Sequence, residues 1–597
     1  MPTAILTGQP VPGSSIESDL RGLGFEVRAA ADPADARELL AAVPGEERVA
    51  LVDARLVGHL HALRLGLVDP RFPLAAIPGA VTAQPSARPA LGRALDATAT
   101  TGGGTALAVD SLADQVVTAL DADGAEVYRP RLGSLVAVVP DDPQARNEAR
   151  QAVAAVDDEA VRLKSAVKSG DGLFTTYCVS PYSRYLARWC ARRGLTPNQV
   201  TTASLLTALI AAGSAATGTR AGYVAAGVLL LLSFVLDCTD GQLARYALRY
   251  STLGAWLDAT FDRAKEYAFF AGLALGAARD GDDVWALALA AMILQTVRHM
   301  VDFAFHEANT GDPTATAALS DKLDSAGWTV WVRRVIVLPI GERWAMIALL
   351  TAVATPRITF YALLAGCAFA TLYTTAGRVL RSLRRTAPRT DRAVRALVDL
   401  ADSGPLAGQA ARVLPRTPFA GPLPLAFAGT VLLLLVAALD GPGLPAVLGA
   451  LVYALLSGAA VARPLGGRLD WLVPPLFRTA EYTTILLLAA HADVNGALPA
   501  AFGLVAAVAY HHYDTVYRIR GDAGAPPAWL VRAIGGQEGR TLLVTVLAAL
   551  LTAQRFTAAL TVLAVAVALV VLAESIRFWV AAHRAGAPAV HDEGEPA

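Results

Sequence analysis

Asp237-Cys-Thr-Asp240-Gly241-Gln-Leu-Ala244-Arg245, followed at fixed distance by Gly254, Asp258 and Asp262, decides how this chain is read. The stretch follows Leu229–Leu236, an apolar run broken only by Ser233. Asp237 and Asp240 stand three apart, and Asp258 and Asp262 four apart, so on helices each pair shares one face. Such acidic pairs usually lie on solvated helix faces, but the apolar run before them argues against that here. Carboxylates close to hydrocarbon are expensive unless something neutralises them. Divalent metal ions do so, and ligation by oxygen alone points to Mg²⁺ or Mn²⁺.

Composition agrees with a membrane setting. The chain has 597 residues, too many for one simple domain. Its mean hydropathy is +0.44 and 17% of its residues are charged, which describes a polytopic membrane protein with soluble parts. The formal net charge is zero, so there is no bulk electrostatic case for nucleic acid. Cys178, Cys190, Cys238 and Cys367 have no CxxC spacing, which indicates neither a disulfide framework nor a zinc site. The opening MPTAILTGQPVPGSS lacks a basic n-region and an apolar h-region, so no signal peptide is read and the first domain is expected in the cytoplasm.

The expected architecture is a polytopic α-helical membrane protein of two six-helix blocks with an N-terminal soluble α/β domain. Residues 1–150 alternate apolar runs with amphipathic stretches. Thr3–Leu6, Glu26–Ala29, Val49–Val52, Leu74–Ile77 and Leu135–Val139 read as strands of a mostly parallel sheet. Ser15–Leu23, Pro33–Ala42 and Ser111–Leu120 read as helices between them, and residues 80–104 read as a loop. Residues 151–195 connect to the membrane. They close a charged helix, Pro143–Lys168, and hold an interfacial helix in which Arg184, Arg188 and Arg192 share a face. Residues 196–380 give six spans, near 201–218, 221–240, 257–278, 284–305, 343–356 and 358–377. The arginines at 378, 381, 384, 385, 389, 392 and 395 mark residues 381–423 as a cytoplasmic linker by the positive-inside rule. Residues 424–582 give six more spans, near 424–440, 443–462, 476–491, 497–516, 541–554 and 557–580, and residues 583–597 read as a disordered tail.

The two blocks look like a duplication. Gly254, Asp258, Arg263-Ala-Lys-Glu266-Tyr267 and His299-Met-Val-Asp302 have parallels in Gly467, Asp470, Arg478-Thr-Ala-Glu481-Tyr482 and His511-His-Tyr-Asp514. Gly341-Glu342-Arg343 parallels Gly536-Gln-Glu538-Gly-Arg540. Where the first block has its acidic run, however, the second has Leu456-Ser-Gly-Ala-Ala-Val-Ala-Arg463, and nothing stands in register with Asp262. The second block is either a degenerate copy that kept the fold and lost the metals, or a chance alignment of Ala/Leu-rich segments.

The complete pattern Asp-x₂-Asp-Gly-x₂-Ala-Arg-x₈-Gly-x₃-Asp-x₃-Asp, with Thr196-Pro197-Asn198-Gln-Val-Thr opening the first span, resembles the signature of the CDP-alcohol phosphotransferase (CDP-alcohol phosphatidyltransferase) family. The resemblance implies six transmembrane helices behind an interfacial helix, two Mg²⁺ or Mn²⁺ ions, and transfer of a substituted phosphate from a CDP-alcohol to an acceptor hydroxyl with release of CMP. Asp237, Asp240 and Asp258 are positioned to hold the ions, which would bridge the diphosphate. By resemblance, Asp262 both touches a metal and accepts the acceptor's proton. Gly241 and Ala244 lack bulk and let a nucleotide lie against the helix; Gly254 permits close approach of a neighbouring helix. Arg245 can reach a phosphate or hold an aspartate. Similar enzymes are often dimers, which makes a homodimer in contact with membrane lipids the expectation by analogy.

The remaining expectations are open. Arg298 and His299 read either as acceptor-binding residues or as a buried polar cluster. Arg333 and Arg334 read as an anion site or as positive-inside residues. His511, His512 and Asp514 suggest a metal site but lack a third ligand of suitable spacing, which favours a structural role. The layout resembles bifunctional proteins that join a cytidylyltransferase to a di-inositol phosphate phosphate synthase. Yet Thr7-Gly8-Gln9-Pro10-Val-Pro12-Gly13 is a poor phosphate loop, because proline removes N–H donors. A binding or regulatory N-domain is therefore expected, with a catalytic one that makes the CDP-alcohol as the rival. The donor is CDP-diacylglycerol or a soluble CDP-polyol, in phospholipid or polyol-phosphodiester synthesis. The active site is expected to face the cytoplasm. A non-catalytic membrane scaffold and a transporter are the other rivals.

Overall fold

The protein was analysed as a computed structural model, which describes residues 1–584 except 10, 102–110, 169–170, 311–336, 386 and 414–420. Short apolar runs form a five-stranded sheet from β1 (Thr3–Thr7), β2 (Glu26–Ala30), β3 (Val49–Asp53), β5 (Leu74–Ile77) and β6 (Ala80–Ala83). The strand order is β2-β1-β3-β6-β5, with β1 parallel to β2 and β3, and β6 antiparallel to both its neighbours. β1 and β3 are buried along their whole length, as near-continuous apolar strands covered on both faces must be. The covering helices are α1 (Ile16–Gly22), α2 (Pro33–Ala42), α3 (Leu60–Leu67), α4 (Arg88–Thr101) and α5 (Leu112–Ala122).

Three sequence expectations need correction here. Of the loop expected over 80–104, the described residues 80–101 instead hold β6 and α4; their prolines sit at helix starts, where a missing N–H costs nothing. Leu135–Val139 is no member of the main sheet. Only β7 (Ala137–Val138) forms there, pairing with β4 (Val57–Gly58). The connecting helix is two helices, α6 (Pro143–Ala154) and α7 (Asp158–Ser165), each started by an aspartate side chain that accepts a backbone N–H.

The interfacial helix α8 (Ser180–Arg192) leaves Tyr182, Tyr185 and Trp189 exposed. Six helices follow: α9 (Pro197–Ala215), α10 (Arg220–Ala247), α11 (Thr252–Arg279), α12 (Trp285–Asn309), α13 (Ile340–Val353) and α14 (Pro356–Arg384). Thr196 and Gln199 form a reciprocal capping box that starts α9, the reason for the Thr-Pro-Asn-Gln entry. Small residues draw these helices together. A Cβ on Gly272 or Gly276 would meet the backbone of α9 at 2.4 or 2.1 Å, and one on Gly227 would meet Ala348 O at 2.5 Å.

After α15 (Asp391–Leu400) and α16 (Pro405–Val413) comes the second block: α17 (Pro422–Leu439), α18 (Leu444–Val461), α19 (Val473–His491) and α20 (Ala497–Arg520), then the short α21 (Ala528–Ala533), α22 (Gly536–Leu550) and α23 (Ala553–Arg584). Its packing repeats that of the first block. α9 packs on α10 and α11 as α17 packs on α18 and α19; α10 packs on α8 and α13 as α18 packs on α16 and α22; α12 packs on α14 as α20 packs on α23. Between blocks α12 meets α19 and α20, and α11 meets α20 and α23.

Twelve spans were expected, and helices stand at all twelve places. Six are long and apolar enough to cross a membrane by themselves: α10, α12, α14, α17, α18 and α23. Among the others, α11, α19 and α20 carry buried charged side chains, and α13 and α22 are short. The protein is thus a polytopic helical membrane protein with an N-terminal α/β domain.

Candidate active site

α10 carries Asp237 and Asp240 on one face and ends at Leu248, in the left-handed conformation. Three residues later Ser251 starts α11 by accepting the Gly254 N–H at 2.9 Å. This tight reversal brings Asp258 and Asp262 opposite the first pair. One carboxylate oxygen each of Asp237, Asp240 and Asp258 lies within 4.8 Å of the others. Asp240 is buried and its Oδ2 has no hydrogen-bond partner. A buried oxygen with no donor in a cluster of like charges fits a site built for an oxygen-ligated divalent cation.

Asp262 is held differently. Lys265, one turn along α11, is fully buried and places Nζ 2.8 Å from Asp262 Oδ1, against Asp237 Oδ1, and 3.2 Å from Ser204 Oγ on α9. Lys265 stood in the sequence as part of Arg263-Ala-Lys-Glu266, three residues after Asp262, but its reach to Asp237 depends on how closely α10 and α11 approach.

A cavity of about 830 Å³ opens beside the acids, lined by Asp240, Asp258 and Asp262. Gly241, Ala244, Arg245 and Gly254 line it too. Gly254 makes room for a side chain rather than a helix backbone: a Cβ there would stand 2.6 Å from Asn198 Oδ1. Arg245 gives its Nε–H to Ala166 O at 2.6 Å, tying the site to the connecting segment; it does not hold an aspartate. Arg162 of α7 donates to Tyr246 O at 3.3 Å, and Arg71 of the α/β domain stacks 4.3 Å from the ring of Tyr250, a cavity-lining residue, so that domain sits beside the cavity's rim.

The expected acceptor residues are elsewhere. Arg298 and His299 do not line the cavity. Arg298 donates to Val337 O, and His299 Nδ1 meets Tyr513 Oη at 2.5 Å and Arg263 Nη1 at 3.3 Å. Both are polar links inside the helix bundle. Arg333 and Arg334 lie outside the described residues. The far wall is instead made by His306, Arg378 and Arg381 with Arg392, Tyr517 and Arg520 from beyond the first block. Sequence offered no signal for these last three, because they arrive by contact between blocks.

The second block has the same polar skeleton without the acids. Arg263 pairs with Glu266 at 3.0 Å and Arg343 with Glu266 at 3.3 Å; Arg478 pairs with Glu481 at 3.1 Å and Arg540 with Glu481 at 2.5 Å. Glu342 accepts from Phe174 N, as Glu538 accepts from Gly404 N and Ala407 N. His512, not His511, is the counterpart of His299, since it is His512 that meets Arg478 at 2.5 Å. Asp402, His511 and His512 cluster with metal-like spacing. Arg540 already holds Asp402 Oδ2 at 2.7 Å and Arg478 stands 3.6 Å away, so the cluster is a charge network with no room for a further cation.

Known proteins agree with this division. Residues 194–372 match the family described as CDP-alcohol phosphatidyltransferase, and residues 391–597 match a family of unknown function, DUF5941. The bifunctional IPC transferase and DIPP synthase of Aquifex aeolicus is 34% identical over 118 residues, 19% of this chain and 26% of that protein. The phosphatidylinositol phosphate synthase of Streptomyces avermitilis is 36% identical over 110 residues, 18% of this chain and 43% of that protein. The archaetidylinositol phosphate synthase of Pyrococcus horikoshii is 34% identical over 91 residues, 15% of this chain and 47% of that protein. The chain thus spans about a quarter of the first relative and under half of the other two. The family match and the acids at the cavity fall on the same helices, and residues 194–372 of this chain are a CDP-alcohol phosphatidyltransferase domain.

Proposed function

We propose that the chain transfers the substituted phosphate of a CDP-alcohol to an acceptor hydroxyl and releases CMP. The observation that carries this reading is the convergence of Asp237, Asp240 and Asp258, the last two of them at the wall of a cavity that Asp262 also lines. A divalent ion held by those carboxylates, Mg²⁺ or Mn²⁺, supplies charge for the donor diphosphate and the departing CMP.

The chain's own groups do the rest. Gly241 and Ala244 leave α10 open for cytidine, and Arg245, anchored through Nε, keeps its other nitrogens for phosphate. Asp262 accepts the acceptor's proton as that oxygen bonds to the donor's β-phosphorus and the bond from that phosphorus to the CMP oxygen breaks. In-line placement makes an ordinary carboxylate sufficient as the base. Arg378, Arg381, Arg392 and Arg520 stand on the far wall against Asp302 and Glu307, four guanidinium groups to two carboxylates, which suits a phosphorylated acceptor such as a polyol phosphate. Two of the relatives, a phosphatidylinositol phosphate synthase and an archaetidylinositol phosphate synthase, fit such an acceptor.

The arginine-rich end of α14 supports a cytoplasmic active site. The α/β domain reads as regulatory: its buried acids Asp53 and Asp69 each accept through both oxygens, from Arg55 and Arg71. The second block reads as a degenerate copy that stands in for a second subunit. α11 meets α20 while α12 meets α19, and α12 meets its own counterpart α20, the exchange pattern of a two-fold interface. An intrachain pair thereby replaces the homodimer expected by analogy.

Purified full-length protein, CDP-diacylglycerol or a CDP-polyol, and a panel of polyol phosphates test the reading. CMP should appear only with divalent metal and one of the acceptors. Metal-independent CMP release, or none with any donor, contradicts it.

A further inference from the structure

The geometry points to a cation site in which Lys265 takes the place of one metal ion, so that the carboxylate quartet binds a single divalent cation. This rests on the metal-dependent reading above and sharpens it. Three observations carry it. The oxygens of Asp237, Asp240 and Asp258 converge as one ligand set, and Asp262 is outside that set. Asp262 Oδ1 and Asp237 Oδ1 both face the same ammonium, the first at 2.8 Å. That ammonium is fully buried; it donates to Asp237 and to Ser204 and is ion-paired with Asp262, whose Oδ1 takes no hydrogen bond.

A second ion bridging Asp237 and Asp262 would have to occupy the position of Nζ. Two cations cannot share that space at low dielectric. Its stem leaves α11 inside the bundle, and the Trp344 ring lies 5.6 Å from Nζ. A buried ammonium taken from its carboxylates costs several kcal/mol, as an order of magnitude, so displacement by an incoming ion is opposed. Asp237 still has Oδ2 for the metal, and Asp262 has Oδ2 for the acceptor's proton.

Lys265 is then a positioning residue. It orients Asp262 towards the cavity and balances the acids before any metal arrives. Full-length protein in detergent micelles, stripped with EDTA and titrated with Mn²⁺, provides the test. Free Mn²⁺ is read by electron paramagnetic resonance, and bound metal by elemental analysis after desalting. We expect one Mn²⁺ per wild-type chain, one for Lys265→Arg, and two for Lys265→Ser, with a dipolar-coupled Mn²⁺ pair spectrum in the last. In EDTA, Lys265→Ser should melt below the wild type, and Mn²⁺ should restore it. Two ions in the wild type overturn this inference alone and leave the transferase reading intact. No bound Mn²⁺ in the wild type overturns the metal-site reading itself. If Lys265→Ser does not fold, the wild-type and Lys265→Arg stoichiometries still decide between one and two.

Discussion

The two six-helix blocks share packing, a Glu–Arg skeleton and a histidine link, yet only one keeps the four acids, three of which line a cavity. In the first block Asp240 stands buried with an unpartnered oxygen. On the matching part of α18 stands Gly458, where a Cβ would meet Ala410 Cβ at 2.5 Å and Ala407 O at 2.7 Å, so α16 closes over the helix. Asp470, the counterpart of Asp258, is spent on the Gly467 N–H at 2.7 Å. The difference teaches which buried charges hold this fold and which hold a ligand. Arg–Glu pairs recur in both blocks and satisfy one another. The acid quartet occurs once, is over-rich in negative charge, and is partnered by one lysine.

The comparison can be broken by substitution on either side. The largest effect is expected for Asp262→Asn, which should cut CMP release by about 10²–10⁴-fold, the usual contribution of a positioned base. Its melting temperature should stay within a few degrees of the wild type by scanning fluorimetry. Asp402→Asn in the second block should do the reverse. It leaves Arg540 and Arg478 short of a buried partner and should cost about 3–5 kcal/mol of stability in a denaturant titration. Mn²⁺ stoichiometry of the folded fraction should not change. If Asp402→Asn abolished metal binding instead, the division of labour between blocks would be wrong.

A smaller effect sharpens the role of the inter-block wall. Arg520 stacks 4.9 Å from Phe303 and faces Glu307 at 3.9 Å at the cavity edge. Arg520→Ala should raise KM for a phosphorylated acceptor by about tenfold, worth ~1.4 kcal/mol, with kcat and donor KM little changed. An unchanged acceptor KM would remove the second block from substrate binding.

The smallest effect lies in the α/β domain. His61 is buried with neither ring nitrogen hydrogen-bonded, and burial, aided by Arg162, lowers its pKa to about 4. The unfolded chain binds that proton near pH 6.5, so the domain's stability is full above that value and falls as pH drops towards 4. The protection factors of β1 and β3 amides, which take out the intrinsic slowing of exchange at lower pH, should fall over that range, and His61→Phe should flatten the dependence.

Much of this was legible in residues. The acid quartet could be read because its spacing and its apolar approach are both local. The helix positions followed from apolar runs bounded by Thr-Pro and Ser caps. What was missed depended on tertiary approach. Lys265 is visible in the sequence, but its contact with Asp237 is a property of two helices. Arg392, Tyr517 and Arg520 reach the cavity only because the second block packs on α11 and α12. Arg298 and His299 misled because a polar residue on a membrane helix can serve a network as well as a ligand. The stretch 80–104 misled because Ala, Thr and Pro suit a helix start as well as a loop.

The most direct test is a binding measurement with the nucleotide itself. Isothermal titration of CDP into the full-length protein should show saturable binding with Mn²⁺ present, and loss of it both in EDTA and in Asp240→Asn. Equal CDP affinity in EDTA, or in Asp240→Asn with Mn²⁺ present, would contradict the claim that the first block's acids hold metal against a cytidine diphosphate.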